Sequence, residues 1–325
     1  MTRATAGGYH GPMTGELLGS PAPDPAQLSM SHSSLVPVAE SPADVIHHTR
    51  PAGKTVLSVA GFGYPLAFLA HGAARVLGFD VDPYFVAWQH FLRGAIAALD
   101  HDEHRRLLLG MGGRAQLQAL KRRALRGIEP AYRALAASAL ADLVARQTPP
   151  RELARHYPQL RGSRLYGRLR AAIAAGRWEI RQGELLALLG QIHAEQPDRR
   201  FDVAYISSIR NWVAFHLYRL VAGHPAPEAQ ARFQREYDEP LGRLLTAQVA
   251  PGGVVYESLI RLPFFPQQPL AWPGLRTRLH VARRAASGHG IVLGRKPPLR
   301  RRRASRSSGG SPGTRRSRPR SRSRP

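Results

Sequence analysis

The chain contains no cysteine. Disulfides, thiolate metal centres and a cysteine nucleophile are therefore excluded, and a cytoplasmic location is the expectation. Acids are scarce. Against 47 Lys and Arg stand only 22 Asp and Glu in 325 residues, a net charge of +25. Such an excess favours an anionic partner, whether nucleic acid, an anionic membrane surface or a phosphorylated substrate, and says nothing of the fold. The 14 histidines include no H-E-x-x-H pair, and no metal site is expected. The N-terminus lacks the basic region and apolar core of a secretory leader. Long apolar runs are also missing. Residues 56–74 carry no charge over 19 positions, yet Gly61, Gly63 and Pro65 interrupt them, so they divide into strand, turn and helix and do not form a membrane span.

What is present is a 43% hydrophobic fraction, that of a chain with a packed core. The most informative stretch is Val56–Asp82. Val56–Ala60 is a short apolar run of the kind buried on both faces of a sheet. Gly61 and Gly63 follow at once, and Pro65 stands at the start of the next helix, where its missing N–H costs nothing. Val76–Phe79 is a second strand, ending at Asp80 and Asp82. An acid about 20 residues beyond a glycine turn, at the tip of the second strand, suits the hydroxyls of a ribose.

The rest of the chain is arranged around this unit. Residues 1–43 are rich in Gly, Pro, Ser and Ala and read as a mobile arm, with Ser41–Asp44 able to open a short helix towards His48. A helix over 84–99 carries Phe85, Trp88, Phe91, Leu92, Ala95, Ile96 and Leu99 on one face. Asp100 or Asp102 caps a helix ending at Gly110, in which His101 and His104 read as surface groups. Residues 114–175 are helical in pattern, broken at Thr148–Pro150 and Tyr157-Pro158. A parallel crossover needs only about a dozen residues, so residues of about 100–175 form a helical insertion between strands two and three. Further strands are expected at 178–180, 201–207 and 254–259. The last follows a Pro251-Gly252-Gly253 turn. Helices are expected over 213–221, after a turn at 208–212, and over 227–249, the latter perturbed at Pro240. A terminal hairpin pairs 279–284 with 291–295. This order predicts an α/β, Rossmann-like doubly wound sheet with an antiparallel edge, in a domain spanning 44–297. From Arg300 onward there are 11 arginines and no acid, and without them the chain remains at +14. Residues 298–325 read as a disordered Arg/Ser/Pro tail.

Three cofactors compete for Val56–Asp82. The dinucleotide fingerprint G-x-G-x-x-G would need glycine where Leu66 stands, which weakens that reading. A triphosphate loop needs Gly-Lys-Ser/Thr, and Gly63-Tyr64-Pro65-Leu66 has no lysine. S-adenosylmethionine has no phosphate to cradle, so fewer glycines are required. It also suits the co-linear set of glycine turn, Asp80, Glu184, fourth strand, Pro-Gly-Gly and terminal hairpin.

That order is similar to the class I S-adenosylmethionine-dependent methyltransferase fold. More narrowly, residues 56–110 resemble the S-adenosylmethionine:diacylglycerol 3-amino-3-carboxypropyltransferase family of betaine-lipid synthesis. That family has an Asp-x-Asn-Pro segment, matched by Asp80-Val81-Asp82-Pro83 with Asp82 for Asn. It also has a long helical insertion and an FD-x-x-x-x-Ser strand, matched at Phe201, Asp202 and Ser207. The likeness covers roughly residues 40–260. Two places depart from it. The loop is Ala60-Gly61-Phe62-Gly63-Tyr64 where the family has Ser-Ala-Gly and a polar residue, and Ser208 replaces Asn. The resemblance implies aminocarboxypropyl transfer to a lipid-like acceptor, with methyl transfer to a small molecule or RNA as the alternative. A non-catalytic basic nucleic-acid-binding protein is the reading of a different class.

The expected cofactor contacts are Ala60, Gly61 and Gly63 at the amino-acid part, and Asp80 at the ribose. Asp82 supports Asp80 or only caps the next helix. Glu184 meets the adenine amino group or stands at a solvated helix start. Ser207 and Ser208 face the sulfonium or only turn the chain. Tyr64, His71, Tyr205 and Asn211 are polar groups placed near the site, and none is assigned as a catalytic base. The basic tail adds the expectation of peripheral contact with an anionic membrane.

Overall fold

The computed structural model describes residues 42–221, 224, 226–259, 272–281 and 290–298. Most of the N-terminal arm and all but the first residue of the Arg/Ser/Pro tail lie outside them. Seven strands form one sheet: β1 Thr55–Val59, β2 Arg75–Asp80, β3 Trp178–Gln182, β4 Phe201–Ser207, β5 Val249–Leu259, β6 Arg276–Val281 and β7 Gly290–Arg295. Their spatial order is β3-β2-β1-β4-β5-β7-β6. The pairs β3–β2, β2–β1, β1–β4 and β4–β5 are parallel. The pairs β5–β7 and β7–β6 are antiparallel. The chain order therefore reverses between β1 and β4, and the antiparallel edge comes from the terminal hairpin. This is the sheet of the class I methyltransferase fold, as the sequence predicts. Ligands of such open sheets bind beyond the carboxyl ends of the strands, at the reversal.

Helices cover both faces. One layer holds α1 Pro42–Thr49, α2 Tyr64–Ala70, α3 Pro83–Ala98 and the insertion: α4 His101–Leu109, α5 Arg114–Arg126, α6 Pro130–Ala145, α7 Pro150–His156 and α8 Ser163–Ala174. The other holds α9 Leu185–Glu195, α10 Ile209–His216, α11 Pro227–Phe233 and α12 Glu239–Gln248. Alternation along the strands feeds two cores. Val56, Val76, Tyr205 and Tyr256 join the first layer, and Leu57, Leu77, Ala204 and Val255 the second. Among the described residues no helix is long and apolar enough to cross a membrane.

Several local expectations are met with their physical causes visible. Asp100 caps α4 in a reciprocal pair with Glu103, and Gly110 ends it in the left-handed region at φ 63°. The perturbation expected at Pro240 is a π-helical turn, Gln234–Asp238, between α11 and α12. Proline offers no N–H to continue the ladder of the preceding turn.

Three expectations are corrected. Helix α10 starts at Ile209 and ends at His216, because Ser207 alone reverses the chain at φ +48°. Pro251–Gly253 lies inside β5, not before it. Gly252, at φ 82°, is absorbed in a register shift against β4, while its N–H bonds the Lys296 carbonyl at 2.9 Å. His104 is fully buried, packed on the Tyr166 ring at 5.3 Å, and burial pushes its imidazole down to about 3, so it is neutral.

Helix α3 is the axle of the first layer. Trp88, Phe91, Leu92, Ala95 and Ile96 are all buried, and the insertion wraps around them. In a helix interior alanine is ordinarily better than glycine by about 1 kcal/mol. At Gly94, however, α3 passes α5 so closely that a Cβ would stand 2.7 Å from the Ala124 carbonyl oxygen. Gly94→Ala is expected to lower stability by about 1–3 kcal/mol, read from the urea unfolding midpoint. An unchanged or raised midpoint would show that the crossing has slack.

Candidate functional site

The loop after β1 is tied down on two sides. The Ala60 N–H bonds the Phe79 carbonyl at 2.6 Å, and the Ala60 carbonyl accepts from Gln89 Nε2 of α3. Gly61–Gly63 then form one 3-10 turn leading into α2. Gly63 has φ +92°, and a Cβ there would lie 3.3 Å from the Tyr157 ring and 3.5 Å from the His156 carbonyl. The conformation therefore favours glycine, and a Cβ would also press closely on the Tyr157 ring. Pro65 stands in the first turn of α2, as the sequence predicts.

Asp80 closes β2 beside this turn. Its carboxylate accepts from the Asp82 N–H at 3.1 Å, and the backbone amides of Val81 and Gly61 also stabilise its charge. Burial nevertheless pushes the carboxyl up to about 7, and the neighbouring Asp82 charge adds to this. Asp82 is buried and caps α3, accepting from the Tyr84 N–H at 2.8 Å. Asp80 thus faces the glycine turn, and Asp82 has the capping role that the sequence left open.

Glu184 follows β3 and caps α9. One carboxylate oxygen accepts from the Ala187 N–H at 3.0 Å, and the other from the Tyr237 hydroxyl at 2.8 Å. It is half-buried and already held by two donors, where the sequence left open a contact with adenine or a solvated helix start. Ser207 ends β4 and Ser208, buried, precedes α10. Ala60, Gly61, Gly63, Asp80, Asp82, Glu184, Ser207 and Ser208 all lie at the carboxyl edge of the sheet, around the chain reversal.

The polar groups placed near the site separate. His71 ends α2, which runs back from that edge, and its Nδ1 lies 2.9 Å from the Ala67 carbonyl. Asp202 of the FD-x-x-x-x-Ser strand also belongs to the far end, where its carboxylate accepts from the Thr55 N–H at 2.9 Å. Tyr64 and Tyr205 stay together. Their ring centroids are 4.7 Å apart, Tyr205 and Tyr256 are 5.5 Å apart, and His48 of α1 lies 6.4 Å from Tyr256. These buried rings wall the edge on the first-layer side. Asn211 is fully buried in α10, and neither atom of its amide has a hydrogen-bond partner among the described residues. The outer oxygen of Gln89 is likewise unpartnered. Buried amides left this way call for a partner, whether ordered water or a ligand, and Gln159 of the insertion is left the same way.

Two features carried no sequence signal. The first is the insertion's hold on the glycine turn: Tyr157 is fully buried, and its hydroxyl accepts from Trp88 Nε1 at 3.0 Å. The second is a buried charge cluster behind β4 and β5. Arg210 donates from Nε to Asp238 at 2.6 Å and from Nη1 to both Glu257 oxygens at 3.1 and 2.9 Å. Trp272 Nε1 donates to the same Asp238 oxygen at 3.1 Å, and the guanidinium lies 5.0 Å from the indole centroid. Burial raises the Glu257 carboxyl even against the opposing Arg210 charge. Both partners of Arg210 are remote in sequence, so nothing local marks it.

No family model matches the chain, and no curated protein does. Among solved structures, it is similar to the rRNA methyltransferase aviRa from Streptomyces viridochromogenes, at 14% identity and TM-score 0.37, covering 84% of this chain and 92% of that one. It is also similar to the putative methyltransferase yhhF from Escherichia coli, at 12% identity and TM-score 0.33, covering 81% and 91%. A third is the O-methyltransferase from Bacillus cereus in complex with SAH, at 11% identity and TM-score 0.36, covering 81% and 84%. At these scores the overlays are loose, and the strand order is what identifies the fold.

The buried cluster yields a stability prediction. Removing one member of a buried ion network strands its partners and costs about 3–5 kcal/mol. Arg210→Met should lose that much, and adding Glu257→Gln should recover part of it, since residues in one network are not additive. Urea denaturation of the two variants measures both. Simple additivity would show that the cluster is not a unit.

Proposed function

We propose that this chain is an S-adenosylmethionine-dependent transferase, with methyl as the group moved. The observation that carries the proposal is the pairing of Asp80 with the Gly61–Gly63 turn at the chain reversal of the sheet. A carboxylate there accepts the two ribose hydroxyls. The turn lets the backbone pass close to the amino-acid part of the cofactor, and Gln89 holds that turn from behind. The free oxygen of Gln89 and the amide of Asn211 have hydrogen-bonding capacity left to offer a ligand.

When bound, S-adenosylmethionine supplies an electrophilic carbon on a sulfonium, whose sulfur leaves with the bonding pair as the acceptor gives up a proton. The protein's task is then to position the acceptor and exclude water. The Tyr64, Tyr205 and Tyr256 rings pack together beside that edge. No side chain is assigned as a base.

The second reading is aminocarboxypropyl transfer to a lipid-like acceptor. It is favoured by the Asp80-Val81-Asp82-Pro83 tip together with a helical insertion closing on the glycine turn. The two readings leave different by-products. Methyl transfer gives S-adenosylhomocysteine and aminocarboxypropyl transfer gives methylthioadenosine, so chromatography of a reaction with labelled cofactor separates them.

Asp80 also sets a pH dependence. Its carboxyl lies at about 7, above the ordinary carboxylate range, and only the ionised form accepts both hydroxyls. Cofactor affinity should therefore rise as pH increases through 7, by up to about tenfold per unit below that value. Asp80→Asn should bind weakly, with a flat profile. Calorimetric titration of S-adenosylmethionine from pH 5.5 to 8.5 checks this. No binding to the wild type would end the proposal, and a pH-independent wild type would remove Asp80 from it.

A further inference from the structure

The charge excess is concentrated. Residues 101–174 hold 15 Lys and Arg against 5 Asp and Glu, which is most of what remains once the tail is set aside. The segment closest to the site is the most one-sided. Between Leu153 and Trp178 there are six arginines and no acid. Three of them, Arg155, Arg164 and Arg168, are exposed and form no ion pair among the described residues. Arg164 and Arg168 are one helical turn apart on α8. Arg155 is on α7, two residues before Tyr157, the residue that touches Gly63. The insertion, which meets the glycine turn at Tyr157, therefore carries an exposed basic surface in the same segment.

We infer that this surface docks the phosphate backbone of base-paired RNA, and that the acceptor of the transfer lies in that RNA. The inference rests on the transferase reading for the reacting group, and on the surface alone for the docking. Charge complementarity calls for closely spaced phosphates. An anionic bilayer would be met by an amphipathic surface with large apolar groups beside its cations. Here the only large hydrophobic residue exposed among the described residues is Met111, on another loop. Single strands are held by exposed aromatic platforms, which are missing for the same reason. B-form DNA also presents closely spaced phosphates, and the exposed positions of α8 include Arg164, Arg168 and Arg170, so a DNA duplex is a competitor that the test must separate. The docking inferred is contact with phosphates across a wide, shallow groove, the way A-form RNA is recognised by shape.

The test uses the full chain, tail included, with a 20-base-pair RNA duplex as the probe and fluorescence anisotropy as the readout. Arg155→Glu/Arg164→Glu/Arg168→Glu is compared with Arg276→Glu/Arg278→Glu/Arg295→Glu. The second set makes the same charge change on exposed residues of β6 and β7, at the opposite edge of the sheet. The insertion variant should bind the duplex at least about tenfold more weakly at 0.15 M salt. Its log K against log salt slope should fall by about 2–3, given roughly 0.9 per phosphate contact. The edge variant should stay near wild type. Equal losses in the two variants overturn the inference, because charge alone would then account for binding. So does equal affinity for a DNA duplex of the same sequence, or a preference for phosphatidylglycerol vesicles over RNA. S-adenosylmethionine titration into both variants reports folding and the cofactor site separately. A wild type that binds RNA but not the cofactor overturns the transferase reading and leaves the docking result standing.

Discussion

The contact between the Tyr157 ring and the bare backbone of Gly63 joins the helical insertion to the sheet at the edge where ligands bind. It demands three things at once. Gly63 must occupy the left-handed region without a side chain, Tyr157 must be held in place, and the loop before Gly63 must not drift. Helix α3 supplies the last two, through Trp88 to the Tyr157 hydroxyl and through Gln89 to the Ala60 carbonyl. Asp82 fixes the start of that helix and also offers the N–H that Asp80 accepts. The insertion, the glycine turn and the acid of β2 are thus positioned by one helix, and none can shift without the others.

The second half of the edge is positioned differently, by charge buried in the opposite layer. One π-helical turn supplies Tyr237 to Glu184 and Asp238 to Arg210. It therefore links the ends of β3, β4 and β5, which the chain visits far apart. A wider turn of this kind is costly in a helix and recurs where function needs it. Its setting here, before Pro240, gives it a covalent cause as well. Arg210 then fixes the start of α10, immediately after the left-handed Ser207, so the β4 terminus is held by ion pairs more than by capping.

Much of this architecture is legible in the sequence, because local chemistry and global fold agree. Short apolar runs mark the buried strands, Gly110 and Asp100 mark the limits of α4, and the spacing from Asp80 to Trp178 forces an insertion. Reading failed where one residue did the work of a turn. Ser207 reverses the chain alone, so α10 starts four residues earlier than its apolar pattern suggests. Gly252 bends a continuous strand where a Pro-Gly-Gly triplet reads as a break. His104 sits among Asp102, Glu103, Arg105 and Arg106 and looks solvated, yet the helix turns it onto Tyr166. At the site, the glycines and Asp80 are readable because their chemistry is local. Tyr157, Gln89 and the Arg210–Glu257–Asp238 cluster are not, since each acts through a partner between 28 and 94 residues away.

Acids are few, yet Asp80, Asp82, Glu184, Asp238 and Glu257 all gather at the carboxyl edge of the sheet, with only Arg210 buried among them. Desolvation makes that arrangement costly, and two of these carboxyls are driven above their ordinary range by it. The cationic cofactor proposed above would relieve that cost, because a sulfonium at this edge sets a positive charge against buried negative charge. Fifteen Lys and Arg lie on the insertion, largely at the surface, where salt and water screen their mutual repulsion. An acidic interior and a basic insertion would hold cation and anion on opposite sides of the Tyr157–Gly63 contact. On the proposed transfer to RNA, that separation would let a cationic donor within the sheet edge meet an anionic acceptor arriving across the insertion.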